Sequence, residues 1–317
     1  MSANRGDPMT NQILGAIELG LVYGLMVLGV FITFRILQIP DLTVDGSITL
    51  GMAVCAVLVN AGHPFLALIV ALAAGALAGC CTAFLQTRVK IPSILAGIMT
   101  MSGLYSINLL IMDNGKPNIS ILGSPTVFSL FQSATGLSKH ASRIAVGVLL
   151  CAIVLIAVEF FFTTHAGLCV RATGDNEDMV RATSISTVKM KWIALAMANA
   201  CVALSGAIYT QYIGSADVTA GSGTIVIGFA SVIIGEALCL HRPMKVKLVS
   251  TVVGSVLYRI IIAVAIKTNL FPTYFLKFVS VFIIGIALSI APFTGWLQDQ
   301  KNKKRRMREA KEGNGHA

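Results

Sequence analysis

DLTVDGSITLG, residues 41–51, decides how this chain folds. It lies between two long apolar runs, with Pro40 just before it and Gly46 within it as interruptions of helix. Asp41 and Asp45 are too polar for lipid, and irregular backbone at membrane depth survives only against protein or a water-filled cavity. Further along, DVTAGSGTIVIG, residues 217–228, repeats the pattern with a one-residue shift. Each copy reads Asp, branched apolar, Thr, small apolar, then Gly-Ser. Each lies between two apolar spans. Chance likeness between Gly-, Ser- and Thr-rich turns is the bland alternative.

Working outward, the chain is 56% hydrophobic and 12% charged over 317 residues. A soluble domain carries about a quarter charged residues. Several of the successive apolar runs reach the roughly 20 residues that cross a bilayer. They cover 13–37, the segment up to 59, 65–85, 94–112, 144–162, 192–212, 225–240, 248–266 and 274–292. The fold class is an all-α polytopic membrane protein with about nine transmembrane helices, eight to ten, counted from these runs. Five spans separate the two interrupted segments, so the copies point in opposite directions. Two inverted repeats with broken helices are a mark of transporters. Residues 1–12 read as a disordered N-terminus, 13–292 as one transmembrane unit and 293–317 as a basic tail. The first apolar run is too long for a signal-peptide core, so no processing is expected. Gly15, Gly20, Gly24 and Gly29, and likewise Ala71, Gly75 and Gly79, mark faces where helices approach closely. SPTVFSLF, residues 124–131, predicts a short surface helix opened by Ser124 or Pro125.

The net charge of +10 raises nucleic acid as a partner. The distribution argues instead for membrane orientation, because Lys and Arg cluster between spans and at the end. That clustering predicts a cytoplasmic C-terminus and an N-terminus outside. The seven cysteines lie mostly in or beside apolar runs and read as small packing residues. Five separated histidines give no metal site. No Walker-type glycine loop occurs, so the chain does not hydrolyse ATP, and no Gly-x-Ser-x-Gly stretch appears.

Charges inside a membrane are functional candidates. Glu18, Glu159, Glu236 and Arg259 qualify; the second and third lie near span ends, and Arg259 is expected to pair with an acid. Asp41 with Asp217 could be read as a protease dyad, but both sit beside Gly-Ser turns, which favours capping or lining a pathway. The pathway candidates are Asp41, Thr43, Asp45 and Ser47 in the first broken segment and Asp217, Thr219 and Ser222 in the second. Ser102, Tyr105 and Asn108 form a polar stripe on one span. It serves either the pathway or helix–helix hydrogen bonding.

Residues 164–191, THAGLCVRATGDNEDMVRATSISTVKMK, form a long polar interruption. Gly174 is expected to break the chain there. Asp175 or Asn176 then caps a short helix, with Glu177 and Asp178 in its first turn. Met179, Val180 and Ile185 give that helix an apolar side, and alone it is too short to be stable. Gly167, Arg171, Ala172, Gly174, Asn176, Glu177, Arg181, Ile185, Ala198, Gly206 and Ile208 resemble the cytoplasmic loop and following span of ABC-transporter permeases. The family is that of the ribose and branched-chain amino acid permeases.

The resemblance implies a permease subunit of a bacterial ABC importer in the cytoplasmic (inner) membrane. The loop would be the coupling helix that docks an ATPase, using Gly167, Arg171, Gly174, Asp175, Asn176, Glu177, Met179, Val180, Arg181 and Ile185. It implies ATPase subunits, an extracytoplasmic binding protein and a second permease copy as partners. No cofactor is expected in this chain, since ATP belongs to the ATPase. The DLTVDGS form of the first broken segment looks closer to permeases of amino acids, including aromatic ones, than to sugar permeases. A self-sufficient secondary transporter or channel would share the repeat but have no use for the loop.

Overall fold

A computed structural model of the chain describes residues 8–112, 115–239 and 243–267, with 278, 281, 282 and 285 beyond them. Eleven α-helices occur among these residues. They are α1 (Pro8–Phe31), α2 (Val44–Asn60), α3 (Pro64–Thr87), α4 (Ser93–Ile111), α5 (Val127–Thr135) and α6 (Lys139–Thr163). Then follow α7 (His165–Asp175), α8 (Glu177–Ala182), α9 (Thr187–Ile213), α10 (Thr224–Leu238) and α11 (Met244–Lys267). A π-helical turn, Ile32–Ile36, extends α1. Among the described residues, six helices are long and apolar enough to cross a membrane: α1, α3, α4, α6, α9 and α11. The shorter apolar helices α2 and α10 are the two that follow the interrupted segments. The expected span at 274–292 falls almost wholly outside the described residues, as do the first seven residues and the basic tail.

Two helices form the centre. The apolar windows of α1 and α9 are 72% and 78% buried, against 22% for α4 and α6. The outer helices turn Ile69, Leu77, Ile98, Leu110, Ile156 and Phe160 outward, which suits a lipid solvent. Glycine makes the close approaches. A Cβ on Gly75 or Gly79 of α3 would lie 2.3 or 2.2 Å from the Asn199 or Leu195 carbonyl of α9. On Gly51 of α2 it would lie 1.9 Å from the Ala203 carbonyl. Gly20 and Gly24 face α11, and Gly29 faces α9. Gly15 meets nothing within 4 Å, so the expected α1 stripe begins one turn later.

Ser47, Gly51 and Cys55 of α2 meet Asn199, Ala203 and Ala207 in step, so α2 runs parallel to α9. Gly75 and Gly79 meet Asn199 and Leu195 in reverse, so α3 runs antiparallel to it. The chain is not purely helical. Strand β1 (Asn118–Ser120) pairs antiparallel with β2 (Ser215–Asp217), Asn118 opposite Asp217. Three residues per strand give too little alternation to be read from sequence. The expected surface helix is α5, but Thr126 opens it, through a capping box with Ser129, rather than Ser124 or Pro125.

Candidate functional site

The first break begins where Gln38 takes a φ of 56° and the chain turns back from the π-helical end of α1. Asp41 closes it: Oδ1 accepts from the Thr43 N–H at 2.9 Å, and Oδ2 accepts from Asn199 Nδ2 at 2.7 Å. Asn199 Oδ1 in turn accepts from the Ser47 hydroxyl at 2.7 Å. The Thr43 and Thr82 hydroxyls lie 2.7 Å apart. Asp41, Thr43 and Ser47 are therefore fully buried and tied to α9 and α3. They hold the break in place and do not line open space. Helix α2 begins at Val44, so Gly46 lies inside it rather than interrupting it, packed on Met101 and Leu104 of α4.

The second break repeats one local device. Asp217 Oδ1 accepts from the Thr219 N–H at 2.7 Å, the same two-residue turn as Asp41 and Thr43. After it the copies diverge, because α10 starts at Thr224, seven residues on, whereas α2 starts three residues after Asp41. The Gly-Ser pairs thus do not correspond in space. Thr219 and Ser222 are exposed, and Asp217 is half-buried at the end of β2.

Asp45 joins the two breaks. Its Oδ2 accepts from the Gly223 N–H at 2.7 Å, and its Oδ1 accepts from the Ile225 N–H at 2.8 Å and the Thr224 hydroxyl at 2.9 Å. The first turn of α2 therefore caps α10 from another helix. Beside this junction lies a cavity of about 410 Å³. It is lined by Asp45, Gly46 and Thr49 of α2, Met101, Ser102, Tyr105 and Asn108 of α4, and Val218 and Ser222 of the second break. Five of the sequence-derived pathway candidates thus meet on one wall: Asp45, Ser102, Tyr105, Asn108 and Ser222. Sequence reasoning passed over Asn199 and Thr82, although a lone amide inside an apolar span is a signal.

The polar stretch at 164–191 is two short helices. Helix α7 continues through Gly174 to Asp175, so Gly174 does not break it. A Cβ there would lie 1.8 Å from the Ile36 carbonyl, so the glycine lets α7 rest on the end of the π-helical turn. Gly167 is also tight, its Cβ position 2.2 Å from the Phe161 carbonyl. Asn176 caps α8, accepting from the Met179 N–H at 3.0 Å. Glu177 receives Lys191 Nζ at 2.7 Å and Arg181 at 3.0 Å, which fastens α8 to the start of α9. Burial pushes the Glu177 carboxyl up, but Lys191, Thr187 and Arg181 outweigh it and hold it below its ordinary value. Met179 is 58% exposed, whereas Val180 is 1% exposed and already packed within the chain. Arg171, Asp175 and Arg181 are exposed, and Ile185 is half-buried.

The other intramembrane charges have partners. Glu18 is buried against His140 Nδ1 at 2.6 Å, the Tyr212 hydroxyl at 2.9 Å and Arg143 at 3.5 Å. Glu236 pairs with Arg35, and Glu159 with Lys245. Arg259 lies over the Tyr23 ring, 3.9 Å from its centroid, rather than on an acid among the described residues.

A multi-pass helical membrane protein with two broken helices meeting beside an open cavity is the class this architecture defines. The model of a family described as the permease component of branched-chain amino acid transport systems matches residues 12–288. The chain belongs to that family of ABC-transporter permeases. It is 33% identical to a tyrosine transport system permease protein of Clostridioides difficile, over 86% of this chain and 88% of that one. It is 24% identical to the ribose import permease protein RbsC of Escherichia coli, over 78% of this chain and 75% of that one. Among solved structures, PsaBC from Streptococcus pneumoniae in complex with Fab matches 93% of this chain and 96% of that one. The TM-score is 0.52 at 15% identity, a likeness of fold alone.

Proposed function

We propose that this chain is the membrane subunit of a bacterial ABC importer for a small amino-acid-like solute, in the cytoplasmic (inner) membrane. Two copies form the pathway, a separate ATPase binds and hydrolyses ATP, and an extracytoplasmic binding protein delivers the solute. The observation that carries the reading is the cytoplasmic-type stretch α7–α8. It is short, capped at Asn176, tied back through Glu177 and Lys191, and presents Met179 to solvent. A 6-residue helix gains little stability from its own backbone, and an exposed apolar side chain on it suits a docking partner. The docking face then comprises Met179, Arg171, Asp175 and Arg181, with Ile185 at its edge. Val180, Gly167 and Gly174 shape the face from within.

Two inverted repeats and nine spans are part of the same reading. The matched turns at Asp41–Thr43 and Asp217–Thr219 support it, as does the exchange of packing in which α3 lies on α9 and α11 on α1. The basic tail at 293–317 is then cytoplasmic and the N-terminus outside. The similarity to a tyrosine permease favours an aromatic amino acid as cargo. Copurification of an ATPase, with uptake measured in the same membranes, is the test. Uptake that persists without the ATPase identifies a secondary transporter or channel instead.

A further inference from the structure

Asn108 sits on the cavity wall with half of its side chain unused. Its Nδ2 donates to the Gly46 carbonyl at 3.3 Å. That carbonyl only accepts, so the amide orientation is fixed and Oδ1 must face away from it. Oδ1 is buried, in a residue 1% exposed, and has no hydrogen-bond partner among the described residues. A buried acceptor without a donor is rare in folded proteins and calls for an explanation. The surrounding wall narrows the explanation to a ligand of one chemical kind.

Asp45 is the one formally charged residue on the described wall. The N-terminus of α10 donates to its oxygens, and no Lys, Arg or His stands on the described wall. Met101 and Val218 supply apolar surface, and Tyr105 is 49% exposed beside them, its ring open to stacking or to a cation. The volume of about 410 Å³ suits a single small molecule.

We infer that the cavity selects a small solute bearing a protonated amine on an aromatic or aliphatic body, with the amine donating to Asn108 Oδ1. Met101, Tyr105 and Val218 hold the body, and the Asp45 side of the wall favours the positive charge. Asn108 is thus a specificity-determining residue. The inference rests on the reading of this cavity as part of the pathway, but its test needs no ATPase.

The full chain carrying Ser102→Cys is placed in nanodiscs, and alkylation of that cysteine by N-ethylmaleimide is followed by peptide mapping. Three probes are compared: L-tyrosine, tyramine, and 3-(4-hydroxyphenyl)propionate, which keeps the ring and lacks the amine. Tyrosine and tyramine are expected to protect at concentrations about tenfold lower than the propionate, the difference one charge-assisted hydrogen bond supplies. Adding Asn108→Leu should leave the unliganded alkylation rate as it was and abolish that tenfold preference. Equal protection by the propionate overturns the inference, as does protection by none of the three. An Asn108→Leu protein that labels normally and still prefers the amines overturns it too. If the amines protect but ATP-driven uptake fails, the importer reading falls and this site stands. If an ATPase copurifies but no amine preference appears, only this inference falls.

Discussion

The Asp45 carboxylate accepts the Ile225 N–H at 2.8 Å, across 180 residues of sequence. This bond ties the first turn of one broken helix to the first turn of the other. It satisfies a backbone donor that lipid would leave stranded. Asp45→Ala should cost about 0.5–2 kcal/mol, the range for a lost N-cap. Asp45→Asn should cost less, because an amide oxygen still accepts. Hydrogen exchange at Gly223 and Ile225 reads this directly. Unchanged protection in Asp45→Ala would mean that the junction is held by something else.

The six long apolar spans were legible because a run of about 20 apolar residues has one meaning in water, whereas α2 and α10 are shorter. The pairing of Asp41 with Asn199 was not, because it joins residues 158 apart and neither carries a local mark of the other. The two breaks were visible through Pro40, Gly221 and Gly223, yet their similarity misled at one point. Gly46-Ser47 and Gly221-Ser222 look alike, but the first pair lies inside a helix and the second precedes one. Gly174 does not break the helix that the sequence suggests it should. Its value lies in closeness to Ile36, which no sequence pattern encodes. Similarly, the apolar side of α8 was legible, but which of its residues the rest of the chain covers depends on how α7 and α9 pack around it.

Glycine substitutions separate close packing from open surface. Gly51→Ala places a methyl group 1.9 Å from the Ala203 carbonyl, and α2 must move off α9. The cost of such overpacking is about 1–3 kcal/mol. Gly103 of α4 meets nothing within 4 Å, so Gly103→Ala should be neutral or stabilise by about 0.5–1 kcal/mol through helix propensity. Unfolding temperatures of the two proteins in one detergent should move in opposite directions, or Gly51 alone should fall. Equal stability of the pair refutes the packing account.

Glu177 makes α8 sensitive to acid. Its folded pKa is depressed below the ordinary 4.5, so its contribution is complete at pH above that value. The contribution is lost as pH falls through the lower, folded value. Hydrogen exchange in α8 should therefore be flat from neutral pH to about pH 5 and rise only below it, once intrinsic exchange is corrected for. In Glu177→Gln the acid-dependent rise should vanish while exchange at neutral pH becomes faster. A rise centred near pH 6–7, where histidine titrates, would assign the effect to a neighbour instead.

Met179 and Val180 are adjacent and face opposite ways, which makes them a matched test of docking. Met179 is 58% exposed, so Met179→Asp should leave the unfolding temperature of the purified permease unchanged. The same substitution should weaken ATPase association by about 2 kcal/mol or more if Met179 is a central anchor of the docked face. Val180 is 1% exposed, so Val180→Asp buries an unpaired carboxylate within the α7–α9 packing. It should destabilise the stretch whether or not an ATPase is present. Thermal unfolding of the permease alone, beside ATPase copurification, distinguishes the two. If Met179→Asp retains the ATPase and ATP-driven uptake at normal levels, α8 is not where the partner docks. If Val180→Asp is as stable as the parent, the inward placement of Val180 is wrong.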